Sequence, residues 1–192
     1  MIRSTFASRF ARMTLRLMGW KATAAPRTLH KAVAVLAPHT STWDIIMGML
    51  ILMATGDRVT WVGKHTLFRG PFAPFLRAMG GIPLNRETAR DTVALMAGEF
   101  AVKDHLIMMI SPEGTRDFRP CWRSGFYHIA RTAGVPLVLY YLDFATKTGG
   151  CGPLIALSGD AEEDLKKMNA FYGGITPRHP EKFAPICFRD GA

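Results

Sequence analysis

Ala34-Val35-Leu36-Ala37-Pro38-His39-Thr40-Ser41-Thr42-Trp43-Asp44-Ile45-Ile46-Met47-Gly48-Met49-Leu50 is the stretch around which the chain is organised. An apolar run over 32–37 stops at Pro38 and a second begins at Trp43, so His39 and Asp44 fall in a polar turn between two buried elements. Turns between rigid elements are where reactive side chains are commonly displayed. Two readings of Asp44 follow. Ser41 with an acid three residues on is a helix-capping pattern, which makes Asp44 a cap. Alternatively, its carboxylate holds one ring nitrogen of His39, fixing the tautomer and stabilising the imidazolium of a general base.

Outward from this turn, the apolar run 45–54 is half the length that crosses a bilayer and reads as a core helix. Short β-branched or aromatic runs at 59–62, 82–84, 106–110 and 135–144 alternate with helical patterns at 71–79, 87–101 and 122–132. Five successive apolar residues at 106–110 are the pattern of a strand covered on both faces. The alternation predicts an α/β fold: a single domain with a mixed, mostly parallel sheet flanked by helices. Gly149, Gly150 and Gly152 read as a turn, 154–157 as an edge strand, and Asp160 with Glu163 as the cap of a last helix reaching Tyr172. From Gly173 the chain, rich in Pro, Gly and His, reads as wrapping coil.

The chain has 192 residues, 48% of them hydrophobic, enough for one domain with a full core. Its net charge of +9 is unevenly placed: seven basic residues and no acid precede Asp44. In the same segment Ile2, Phe6, Phe10, Met13, Leu17 and Trp20 recur at helical spacing, with Arg3, Arg9, Arg12 and Arg16 mostly off that stripe. Residues 1–30 therefore form an N-terminal basic amphipathic helix suited to an anionic membrane surface, ahead of a catalytic domain at 31–192. Docking of the stripe on the protein's own core is the competing account. Peripheral association with the cytoplasmic face of a membrane is the expected location. The cysteines, Cys121, Cys151 and Cys187, are odd in number and lack C-x-x-C spacing. They read as core or surface thiols in a reducing compartment, with neither disulfide framework nor metal site.

Directly after the buried run 106–110 comes Ser111-Pro112-Glu113-Gly114-Thr115-Arg116. A bend that displays a guanidinium fork and a hydroxyl beside a strand end suits a phosphate; an ordinary loop with an internal Glu–Arg pair is the plainer account. Arg86 closes Gly81-Ile82-Pro83-Leu84-Asn85-Arg86 at another strand end. His39-Thr40-Ser41-Thr42-Trp43-Asp44, the block Gly81 to Arg86, Pro112-Glu113-Gly114-Thr115-Arg116 and Val135-Pro136-Leu137-Val138 together resemble, in order, the glycerolipid acyltransferases of the lysophosphatidic acid type, with Ser111 standing where that family often has an aromatic. That resemblance implies His39 as base and Asp44 as its orienting acid. It implies Arg86 and the loop Glu113, Gly114, Thr115 and Arg116 as holders of the acceptor phosphate, and Val135 with Pro136 as lining of the substrate pocket. The acyl group would pass directly from acyl-CoA or acyl carrier protein to a lysophospholipid acceptor such as 1-acylglycerol-3-phosphate, with no cofactor and no metal.

Other chemistries find less support. Gly63-Lys64 lacks the spacing of a phosphate-binding nucleotide loop, and no G-x-S-x-G elbow appears. Cys121 and His128 lack a third supporting group for nucleophilic catalysis. Nucleic-acid binding rests on charge alone, with no recognised module, and is not expected. The rival from a different class is a non-catalytic peripheral protein that binds anionic lipids.

Overall fold

The computed structural model describes residues 5–84, 89–183 and 186–189. Its centre is a seven-stranded sheet: β1 (Lys21–Thr23), β2 (Lys31–Leu36), β3 (Val59–Lys64), β4 (Gly81–Leu84), β5 (Leu106–Ile110), β6 (Leu137–Asp143) and β7 (Thr148–Ile155), in spatial order β1-β7-β6-β2-β5-β3-β4. Every neighbouring pair is parallel except β6 and β7. Helices α1 (Thr5–Leu17), α2 (Thr42–Thr55), α3 (Ala73–Ala78), α4 (Ala89–Val102), α5 (Gly125–Ala133) and α6 (Ala161–Tyr172) flank it.

β2 sits between β6 and β5 and is buried on both faces, which is why its sequence is apolar without alternation. Val33 and Val35 point to one side, into a core with Trp122, Phe126, Tyr127 and Tyr172. Ala32 and Ala34 point to the other, toward Val59, Ile107, Met109, Val138 and Tyr140. Successive side chains of a strand point to opposite faces, so one strand serves two cores. The Tyr172 hydroxyl ties α6 to the sheet, donating toward the carbonyls of Val35 at 2.7 Å and Tyr140 at 3.2 Å.

The tail of the sheet departs from the sequence reading. The glycines at 149, 150 and 152 belong to β7, which lies between β1 and β6 rather than at an edge. A Cβ at Gly149 would stand 2.8 Å from Ile51 Cδ1 of α2, and one at Gly152 2.6 Å from Phe171 Cζ of α6. Glycine marks close packing of helices over the strand here, not a turn. α5 also starts later than expected, because Trp122 is drawn into a parallel bridge with Phe188.

The reading of all three cysteines as thiols is likewise corrected. Cys121 and Cys187, 66 residues apart, form a disulfide, and Cys151 alone is a free, buried thiol. Their pairing could not be read from spacing because it depends on the tail returning beside the 112–124 loop. The Cys121 sulfur is thereby unavailable as a nucleophile.

α1 docks on the protein through Ala11 and Leu15, which join a small core with Met47, Ile51 and Leu142. The stripe picked out in sequence faces outward: Phe6 and Leu17 are 78% and 80% exposed, and Phe10 and Met13 about as open to solvent as buried. Trp20 is the exception, buried edge-on against Phe144. Ile2 and Arg3 lie outside the described residues. β1, within the first 30 residues, is part of the sheet. No helix among the described residues is long and apolar enough to cross a membrane.

Candidate active site

His39 and Glu113 each lie three residues beyond the ends of β2 and β5, which are adjacent, parallel and in register at Val35 and Ile110. Two chain segments that are 74 residues apart therefore leave the sheet side by side, and the His39 N–H donates to Glu113 Oε2 at 2.8 Å. Beyond the carboxyl ends of parallel strands is where open α/β sheets place their ligands.

Asp44 fills both roles that its sequence position allowed. Ser41, in an extended conformation, caps α2, and Asp44 at the third helical position completes the capping box. Its Oδ2 accepts the backbone N–H groups of Thr40 and Ser41, each at 2.7 Å. The same oxygen lies 3.3 Å from His39 Nδ1, within ion-pair range but without the in-line geometry of a hydrogen bond. The helix cap thus anchors the carboxylate that faces the imidazole. Asp44 is almost fully buried, and the His39 side chain retains 15% exposure.

Glu113 is turned inward. Burial pushes its carboxyl up to about 8, Asp44 adds to the rise, and the His39 N–H pulls the other way. Near neutral pH much of it is protonated. Gly114 follows with φ 68, a left-handed conformation that permits the bend. Arg116 Nη1 then donates to Thr42 Oγ1 at the start of α2.

Four buried polar side-chain atoms have no hydrogen-bond partner among the described residues: His39 Nδ1, Asp44 Oδ1, Ser111 Oγ and Glu113 Oε1. All belong to this one site. Buried polar atoms are normally paired, and exceptions gather where a protein does chemistry.

Beside them opens a cleft of about 400 Å³ lined by Thr40, Ser41, Thr42, Thr115, Arg116, Asp117, His179 and Lys182. The structure so brings together His39, Asp44, Glu113, Thr115 and Arg116. Arg86 lies outside the described residues; β4, which precedes it, is separated from β5 by β3. Val135 and Pro136 are not brought to the site. They precede β6, whose Leu137 pairs with Val33, whereas His39 lies past the other end of β2. His179 and Lys182 were missed in sequence, since nothing in a Pro- and Gly-rich tail signals that it folds back over the start of α2.

An acid-faced imidazole beside a cleft rich in hydroxyls and cations is the arrangement that general-base chemistry on an anionic substrate requires. The chain belongs to the acyltransferase family, whose sequence profile matches residues 22–141. It is 30% identical over 131 residues to human 1-acyl-sn-glycerol-3-phosphate acyltransferase beta, an alignment covering 63% of this chain and 46% of that protein. The chain thus spans about half the length of that curated relative. Its fold is similar to the crystal structure of the 1-acyl-sn-glycerophosphate (LPA) acyltransferase PlsC from Thermotoga maritima, with a TM-score of 0.52 at 15% identity, covering 84% of this chain and 73% of that one.

Proposed function

We propose that the protein transfers a fatty acyl group from a thioester donor, acyl-CoA or acyl carrier protein, to the free hydroxyl of a lysophospholipid of the 1-acylglycerol-3-phosphate type. The observation that carries this reading is the 3.3 Å approach of His39 Nδ1 to the buried Asp44 carboxylate at the edge of the Arg116 cleft. With Nδ1 facing the acid, the other ring nitrogen is the one to take the proton from the acceptor hydroxyl. The oxygen then attacks the thioester carbonyl. As the tetrahedral intermediate collapses the carbon–sulfur bond breaks, the imidazolium returns its proton to the departing sulfur, and a free thiol leaves with ester in place. No covalent enzyme intermediate is needed. The acceptor phosphate is held by Arg116 and Thr115, with Arg86 as a further ligand by resemblance, and Glu113 and Gly114 shape the loop.

The acceptor is met at an anionic membrane surface. The outward stripe of α1, flanked by Arg9, Arg12 and Arg16, supports this, as does a second cavity of about 490 Å³ at its end, where Trp20, Trp43 and Phe144 stand beside the cations Lys147 and Arg178.

The test is release of free thiol from acyl-CoA or acylated carrier protein by purified protein in vesicles, with and without lysophospholipid. Acceptor-dependent release that vanishes in His39→Ala, with ester product found by mass, is the expected result. Binding to vesicles with no thiol released from either donor would favour the non-catalytic lipid-binding alternative.

A further inference from the structure

The residues so far given to the anion site come from two chain segments, but its cleft has a third wall. His179 and Lys182 belong to a strap, 173–183, that lies beyond the stretch matched by the family profile. The strap is tied down along its length. Phe144 donates its N–H to the Thr176 carbonyl at 2.9 Å, and His179 donates its own to Thr40 Oγ1 at 3.2 Å. A short 3-10 turn, Pro180–Lys182, closes with the Lys182 N–H on the His179 carbonyl at 3.0 Å. Further on, Asn169 exchanges two hydrogen bonds with the backbone of Ile186, and the Cys121–Cys187 disulfide joins the tail to the segment that follows Arg116. Anchored on both sides, the strap holds His179 and Lys182 over the cleft rather than trailing in solvent.

The charges there are countable. Arg116 and Lys182 are the fixed cations of the lining and Asp117 is its one carboxylate, while the positive pole of α2 is already met by the buried Asp44 carboxylate that caps it. Asp117 is partly occupied by Thr115, whose hydroxyl lies 3.4 Å from Oδ2. The nearby Glu181, exposed, faces His179 Nδ1 at 3.3 Å. Without Lys182 the guanidinium and the carboxylate of the lining cancel. With it the cleft is net positive, which a phosphate monoester carrying between one and two negative charges demands. The hydroxyls of Thr40, Ser41, Thr42 and Thr115 supply donors on the remaining sides. His179 lines both this polar cleft and the neighbouring cavity with Trp20, Trp43, Met47 and Phe144. One strap residue therefore stands where the polar cleft meets a cavity walled by aromatic side chains together with Lys147 and Arg178.

We infer that the strap completes the acceptor site: Lys182 is a ligand of the acceptor's phosphate monoester, and His179 divides the space for its head from the space for its chain. This rests on the proposed acyl transfer to a phosphorylated acceptor. Lys182 thereby sets the preference for a phosphorylated acceptor over the same monoacylglycerol without phosphate.

The experiment compares wild type, Lys182→Gln and Lys182→Arg in two assays. In turnover, Lys182→Gln raises the KM for 1-acylglycerol-3-phosphate about tenfold, the loss of one charge-assisted contact. The KM for the thioester donor and the rate with monoacylglycerol stay within about twofold, and Lys182→Arg recovers most of the loss. In direct binding of sn-glycerol 3-phosphate, followed by calorimetry, Lys182→Gln weakens affinity by a similar factor. Equal affinity of wild type and Lys182→Gln for glycerol 3-phosphate overturns the inference whatever the turnover. Weakened binding without acyl transfer by wild type upholds the anion site and overturns the proposed reaction instead.

Discussion

The His39 N–H and Glu113 Oε2 meet at 2.8 Å, joining the loops that leave two adjacent parallel strands. Through this bond the backbone carrying the candidate base is fixed to the loop carrying Thr115 and Arg116. The candidate base and the loop carrying Thr115 and Arg116 are thus held to one another as well as each by its own strand.

That coupling depends on pH. The folded Glu113 carboxyl titrates at about 8 against 4.5 for the free group. Between those values the folded state binds more protons than the unfolded one, so stability falls as pH rises through that window and the contribution is fully present only below the lower value. Wild type should lose a few kcal/mol between pH 5 and pH 8 from this group, and Glu113→Gln should be markedly flatter. Denaturant unfolding of both proteins across the range measures it, and equal pH slopes would remove Glu113 as the cause.

Asp44 caps α2 and faces His39 with the same oxygen, and Asp44→Asn separates the two duties. An asparagine oxygen still accepts the N–H groups of Thr40 and Ser41, so the expected loss of stability is about 1 kcal/mol. The charge that stabilises an imidazolium is gone, and turnover should drop by a factor of ~100 or more. Thermal unfolding and thiol release on one preparation decide it: a variant with normal turnover would leave Asp44 only a cap.

The Cys121–Cys187 bond closes a separation of 66 residues. Bridges over loops of this size stabilise by about 2–4 kcal/mol, so dithiothreitol or Cys187→Ser should lower the melting temperature. Because the Cys121 sulfur is held in the bridge and is no nucleophile, Cys121→Ser should keep turnover at saturating acceptor wherever it stays folded, any loss appearing in the acceptor KM as the strap loosens. Calorimetry with and without reductant checks the first statement, and thiol release below the melting transition checks the second.

On α1, Phe6 and Leu17 project into solvent while Ala11 and Leu15 hold the helix to the domain. The double variant Phe6→Ser, Leu17→Ser should leave the melting temperature nearly unchanged and weaken partitioning onto anionic vesicles by ~10-fold or more. Flotation with vesicles of anionic and of neutral lipid reads this. Undiminished binding would show that the stripe is not what meets the membrane.

Much of the architecture was legible before folding because it follows from local patterns. Five apolar residues in succession at 106–110 are how a strand covered on both faces reads, and β5 is one, while the run at 32–37, read only as a buried element, is its neighbour β2. Ser41 with Asp44 starts α2 and Asp160 starts α6, as side-chain oxygens at those positions must. The same logic failed at Gly149 and Gly152. Glycine near a chain reversal looks like a turn, and its other use, admitting Ile51 and Phe171 close to the strand, depends on helices elsewhere in the chain.

The candidate site divides along the same line. The order of residues by itself picked out the candidate side chains, His39 with Asp44 and the 111–116 loop, since each lies in a short polar segment whose flanking elements are set by nearest neighbours. Tertiary structure alone decided which of them meet. Register between β2 and β5 brings Glu113 to His39, the return of the tail places Lys182 over the cleft and pairs Cys121 with Cys187, and the register of β2 with β6 leaves Val135 and Pro136 at the far end of the sheet. Contacts between residues 66 to 139 positions apart are fixed by how strands order and helices pack, and that information is spread over the whole chain instead of written beside the residues it joins.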